Sequence, residues 1–135
     1  MCFAMLDIDN LKRINDTYGH LSGDQVIKGL SQLLKQSLRR SDYIGRYSRK
    51  EFAIVLPDCG KESARAIIDG LRSRFATLNY RHKNEKILAT FSAGIAAFPD
   101  YDNPEQMIQS ANDALYSAKE SGRNRVIAAG YELFG

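Results

Sequence analysis

Residues 7–9 read Asp-Ile-Asp and close an apolar run, CFAMLDI. Two carboxylates at the end of a strand, just before a helix N-terminus, can hold Mg²⁺ while the helix's free N–H groups face phosphate. Asp9 can equally cap that helix, with Asp7 a solvated strand end. Asn15 and Asp24 bracket the loop DTYGHLSG. A carboxylate and an amide there could read a purine edge, since guanine offers N1–H and N2–H₂ as donors, but both are also ordinary loop residues. Lys119 and Arg123 fall at the end of a later helix, where cations complement the helix dipole or clamp a triphosphate. Arg39 and Asp42, three apart, read as a surface ion pair or as an anion-and-guanine contact. Finally, Ser48-Arg49-Lys50 joins two strand-like runs, DYIGRY and EFAIVL, without the Gly, Asn or Asp that tight turns favour.

These residues need elements to position them. Residues 2–8 read as a buried strand ending on acids. Leu11, Ile14 and Tyr18 have helical spacing over 10–18, stopped by Gly19. Ser22 can cap a second helix whose apolar face is Val26, Ile27, Leu30, Leu33, Leu34 and Leu38. The hairpin 42–56 follows, then a helix from about Lys61 to Phe75. A single strand over 87–97 carries Ile87, Ala89, Phe91, Ala93 and Ile95 in alternation. Pro104 opens a helix over 104–120 that Gly122 ends, and RVIAA is a last short strand. The order β-α-α-β-β-α-β-α-β implies an α/β (α+β) domain, a mostly antiparallel sheet with helices packed on it.

The chain of 135 residues is long enough for one domain with a real core. At 44% hydrophobic and 26% charged, with apolar runs of only a few residues, it offers no membrane span and no signal peptide. A net charge of +3 with no Trp and no aromatic–basic interleaving gives no argument for nucleic acid. Cys2 and Cys59 lack CxxC spacing and read as reduced thiols in a cytoplasmic domain. The two histidines, His20 and His82, are too scattered for a metal cluster.

Taken in order, DIDNLKRINDTYGHLSGD, RRSDYIGRY, EFAIVLPD, FSAGIAAFP and ANDALYSAKESGRNRV resemble the GGDEF family, the diguanylate cyclase domains, over residues 4–127. The resemblance implies a five-stranded sheet of polymerase-palm-like βαββαβ topology. It further implies an activity that joins two GTP molecules into cyclic di-GMP, one GTP on each half of a homodimer. By position, Asp7 and the Ile8 carbonyl resemble the Mg²⁺ ligands. Asn15 and Asp24 match guanine contacts, Lys119 and Arg123 triphosphate contacts, and the backbone at Asn10 and Leu11 would face the terminal phosphate. Arg39 and Asp42 match the RxxD inhibitory site, which binds product. The family's leading helix is absent, so residues 1–135 read as one GGDEF-like domain cut from a larger signalling protein.

The signature turn falls on Ser48-Arg49-Lys50-Glu51-Phe52 and departs from the family at three positions. Ser48 and Arg49 add side chains where glycines would let substrate approach bare backbone, and a non-glycine residue held at φ > 0 would cost roughly 1 kcal/mol. Lys50 replaces an acid that joins Asp7 on the metal. A unit positive charge held about 4 Å from Mg²⁺ is repelled by roughly 8 kcal/mol at an effective dielectric of about 20. Glu51 remains, but alternation along the turn is expected to point it elsewhere. Lys50 could instead neutralise Asp7 and let GTP bind without metal. At the inhibitory site, Gly70 stands where the family places a second arginine, with Arg72 out of register.

The expectation is therefore a catalytically impaired regulatory domain in cyclic di-GMP signalling. It would bind cyclic di-GMP at Arg39 and Asp42, and GTP at a vestigial site. Its partners would be a second copy or another signalling domain, with neither nucleic acid nor membrane insertion involved. The alternatives are a weakly active cyclase relying on Asp7 and Glu51, and a protein-interaction scaffold that binds no nucleotide.

Overall fold

The structure is a computed structural model, and it describes residues 1–130. Strand β1 (Cys2–Ile8) leads to helices α1 (Leu11–Tyr18) and α2 (His20–Ser37). The hairpin β2 (Tyr43–Arg46) and β3 (Glu51–Leu56) follows, then α3 (Lys61–Ala76) and the short strands β4 (Tyr80–His82) and β5 (Glu85–Ile87). Strand β6 (Phe91–Ala97), helix α4 (Pro104–Glu120) and strand β7 (Val126–Ala128) complete the order.

Five strands form the main sheet in the order β2-β3-β1-β6-β7, antiparallel except for the β6–β7 pair. This is the mixed α+β architecture that the element order implied. Strand β1 sits at the centre with every residue buried, because both of its faces are covered. Side chains alternate across the sheet. Ala4, Leu6, Ile54 and Phe91 pack with Leu30 and Leu34 of α2 and Ile68 and Phe75 of α3. Phe3, Met5 and Ala96 pack against Met107, Ala111 and Leu115 of α4. Gly94 permits this second layer: a Cβ there would lie 2.0 Å from the Ala111 carbonyl oxygen and 2.4 Å from the Leu115 nitrogen.

Two expectations change. Ser22 does not cap α2, which begins at His20 directly after Gly19. The left-handed φ of 94° at Gly19 turns the chain into the new helix at once, and Ser22 Oγ donates back to the Tyr18 carbonyl at 3.2 Å. The strand expected over 87–97 splits. Its first part, β5, pairs with β4 in a separate two-stranded sheet, and β6 begins at Phe91. Tyr80 anchors that extra hairpin on α2, its hydroxyl lying over Gly29, where a Cβ would come within 2.1 Å.

Candidate functional site

The C-terminal end of β1, the β2–β3 turn, the start of α1 and the end of α4 converge at one end of the sheet. Asp7 is 1% exposed, so it is no solvated strand end. Its Oδ2 accepts from Lys119 Nζ of α4, while its Oδ1 is buried without a partner. Burial raises the Asp7 carboxyl above the ordinary value; Lys119 and, more weakly, Lys50 pull it down, and Glu51 pushes it up.

Asp9 does not cap α1. It is 4% exposed and accepts from Thr90 Oγ1 at 2.7 Å, Ser92 Oγ at 2.7 Å and the Asn124 backbone N–H at 3.0 Å. With its oxygens so engaged, it ties the loop after α4 to β1 and thereby sets where Lys119 and Arg123 stand. No side chain caps α1, whose preceding residue Asn10 adopts φ 55°. Nothing in the sequence marks Thr90, Ser92 and Asn124 as partners of Asp9, because they arrive from two distant segments.

The β2–β3 turn is stable without glycine. Among the described residues the non-glycine positions with positive φ are Asn10, Lys83, Arg123 and Asn124, so the expected strain at Ser48 or Arg49 does not arise. Instead Arg46 braces the turn from inside. Its Nη2 donates to the Arg49 carbonyl at 2.7 Å and its Nε to the Ser48 carbonyl at 3.3 Å, with the guanidinium 4.9 Å from the Phe52 ring centre. Ser48 Oγ donates to Glu51 Oε1 at 2.7 Å.

Glu51 corrects the expectation from alternation. It is the direct register partner of Asp7, and residues opposite one another on antiparallel strands share a face. The two carboxylates therefore face the same side. The occupant of Asp7 is Lys119, not Lys50, whose backbone carbonyl accepts from the Ile8 N–H at 3.0 Å. A metal fits this set poorly. Asp7 and Glu51 supply two acids, Lys119 already sits on one of them, and no group of three or more His, Cys, Asp or Glu that could hold a metal occurs among the described residues.

Asn15 lies against Gly23, where a Cβ would come within 1.7 Å of its Oδ1. That oxygen is buried without a partner. Asp24, one residue on, receives Arg49 Nη2 at 2.5 Å across the gap between the turn and α2. Arg123 has an exposed side chain and a φ of 63°, its N–H closing α4 on the Ala118 carbonyl at 2.9 Å.

Arg39 and Asp42 lie at the far end of the β2–β3 hairpin from the turn, just before β2. The Asp42 carboxylate accepts the Arg39 backbone N–H at 2.8 Å and its guanidinium at 3.4 Å. The Asp42 side chain is 2% exposed and that of Arg39 is 55%. Gly70 faces open space on α3, whereas Arg72 is held by Asp69 at 2.7 Å and by Asn124 Oδ1 at 2.8 Å, toward β7. Cys2 and Cys59, far apart in sequence, are buried side by side, with Cys2 Sγ 3.3 Å from the Cys59 carbonyl. Among the described residues no helix is long and apolar enough to cross a membrane.

The sheet thus brings Asp7 and Glu51, the β2–β3 turn and the cations at the end of α4 together at one end of the domain. Residues 1–125 match the family model described as diguanylate cyclase, GGDEF domain, and the chain belongs to that family. It is 40% identical over 129 residues to the diguanylate cyclase DgcP of Pseudomonas aeruginosa, a match covering 96% of this chain and 19% of that protein. It is 39% identical to DosC of Escherichia coli, covering 90% of this chain and 27% of that protein. The chain thus spans under a third of the length of these relatives. Among solved structures, the GGDEF domain of DgcB from Caulobacter crescentus in complex with c-di-GMP superposes with a TM-score of 0.87 at 34% identity, covering 95% of this chain and 77% of that one. Diguanylate cyclase SiaD of Pseudomonas aeruginosa, in complex with its activator SiaC, gives 0.88 at 34% identity, covering 95% and 49%.

Proposed function

We propose that this domain acts in cyclic di-GMP signalling as a nucleotide-binding regulatory domain whose own cyclase chemistry is impaired. The observation that carries the reading is the neutralisation of both key acids by cations of the same chain: Lys119 on Asp7, Arg49 on Asp24. With Lys50 in the turn as well, the positive charge that a divalent cation would supply is already provided by side chains. A side-chain cation fixed on Asp7 competes with a metal for that carboxylate, and phosphoryl chemistry loses the metal's Lewis acidity and alignment. The family's Mg²⁺, held by Asp7 and the Ile8 carbonyl, is accordingly assigned a weak place here, and no step is routed through it.

What remains is recognition. Asn15 Oδ1 is a buried acceptor lacking a donor, which a base N–H could supply. Lys119, Arg123 and the uncapped start of α1 at Asn10 and Leu11 suit phosphate. At the opposite end of the hairpin, Arg39 offers a half-exposed guanidinium beside the nearly buried Asp42, which we assign to cyclic di-GMP. That DgcB binds c-di-GMP through a GGDEF domain of the same fold supports the ligand class. A second copy or another signalling domain would receive the signal.

Incubation of the domain with GTP and Mg²⁺ or Mn²⁺, followed by chromatography, is expected to yield no cyclic di-GMP. Calorimetry with cyclic di-GMP is expected to show binding, and failure to bind it or GTP would leave only a scaffold role. A weakly active cyclase is the second reading, favoured by Glu51 facing Asp7. Clear product formation would establish it in place of the first.

A further inference from the structure

Arg49 leaves the turn and crosses to α2, where its Nη2 lies 2.5 Å from Asp24 Oδ1. Arg46 holds the Arg49 carbonyl at 2.7 Å, fixing the backbone from which the side chain reaches. The pair borders an open cleft of about 390 Å³, lined also by Ile27, Lys28 and Ser31. A guanidinium presents N–H donors in one plane to a carboxylate, and the N1–H and N2–H₂ edge of guanine presents the same pattern.

We propose that Arg49 is an internal guanine mimic: its guanidinium occupies the base-reading carboxylate of Asp24, and a guanine nucleoside binds by displacing it. The proposal rests on the reading of Asp24 as the guanine-reading acid. Asn15 strengthens it, since it lies against Gly23, next to Asp24, with a buried acceptor that Arg49 leaves unmet. Both partners are more than half exposed, so the contact is a weak, displaceable competitor and not a lock. Arg49 thereby sets how tightly the domain takes guanine and makes that affinity sensitive to ionic strength.

The test uses guanosine, which carries no phosphate, so that loss of the Arg49 charge cannot itself weaken binding. In titrations followed by calorimetry or NMR, Arg49→Ala is expected to bind guanosine about two- to fivefold more tightly than the parent. The gain should narrow at high salt, be absent with adenosine, and vanish when Asp24→Asn is added. Arg49→Ala binding guanosine no better than the parent, in a protein whose binding still requires Asp24, would overturn the inference and leave the base-reading role of Asp24 standing. Guanosine binding that is indifferent to Asp24→Asn, or absent from every variant, would overturn that role and the inference with it.

Discussion

At the scale of single residues, the site is governed by where charge is buried. Asp7 is enclosed, has one carboxylate oxygen on Lys119 and leaves the other unpartnered. Burial raises its pKa, so the folded protein holds this proton more tightly than the unfolded chain does. The stability that Asp7 contributes is therefore full below the ordinary carboxylate value and is lost as pH rises through the raised one. Asp7→Asn, neutral throughout, should be more stable than the parent at neutral pH, with the advantage fading in acid. Urea melts at the two pH extremes check this, and an advantage that persists in acid would contradict it. Tyr80 behaves similarly in alkali. Burial pushes its hydroxyl up to about 12, so the stability it contributes falls away as pH climbs from the ordinary tyrosine value through the raised one. Its hydroxyl also lacks a hydrogen-bond partner. Tyr80→Phe should add about 1 kcal/mol by removing an unsatisfied buried group, and should flatten the alkaline loss. Denaturation of the pair at neutral and high pH measures both effects.

Among the elements, contact between helix and sheet decides which substitutions are tolerated. Helix α4 lies on β6 at Gly94 so closely that an added methyl would strike helix backbone. Backbone cannot swing aside as a side chain can, so Gly94→Ala must lift α4 from the sheet. The expected cost is about 3 kcal/mol, read from the midpoint of denaturant unfolding. Lifting α4 would also withdraw Lys119 from Asp7, so the same variant should show a perturbed site by NMR while the β4–β5 hairpin is unchanged. The β2–β3 turn illustrates the opposite case. Ser48, Arg49 and Lys50 are exposed and unstrained, because Arg46 and Ser48 supply internal hydrogen bonds. The fold thus accommodates Ser48, Arg49 and Lys50 freely.

For the whole molecule, the hairpin separates two ends. The turn with Asp7 and Asp24 lies at one end, and Arg39 with Asp42 precedes β2 at the other, roughly 13 Å away along four strand residues. Sites so separated and sharing no partner should respond independently. Arg39→Ala is expected to lower cyclic di-GMP affinity at least tenfold, as loss of a charged contact to phosphate does. It should leave GTP affinity unchanged. Calorimetry with each ligand separates the two, and a matching loss of GTP binding would show that the ends are coupled.

The fold class is legible along the chain, and the ordered motifs carry the resemblance to its family. Apolar periodicity, glycine stops and the ordered stretches around Asp7, Asn15, Arg39, Phe91 and Lys119 are local properties that survive without coordinates. The sequence also shows a turn over Ser48, Arg49 and Lys50 that contains no glycine and no acid. How those residues are used depends on the folded chain. Asp7 and Glu51 share a face because their strands pair in that register. Asp9 is spent on a loop that joins it from more than a hundred residues away. Lys119 and Arg49, from opposite sides of the site, close on the two acids. Strand register and long-range ion pairs depend on segments brought together only by folding, and no spacing along the chain encodes them.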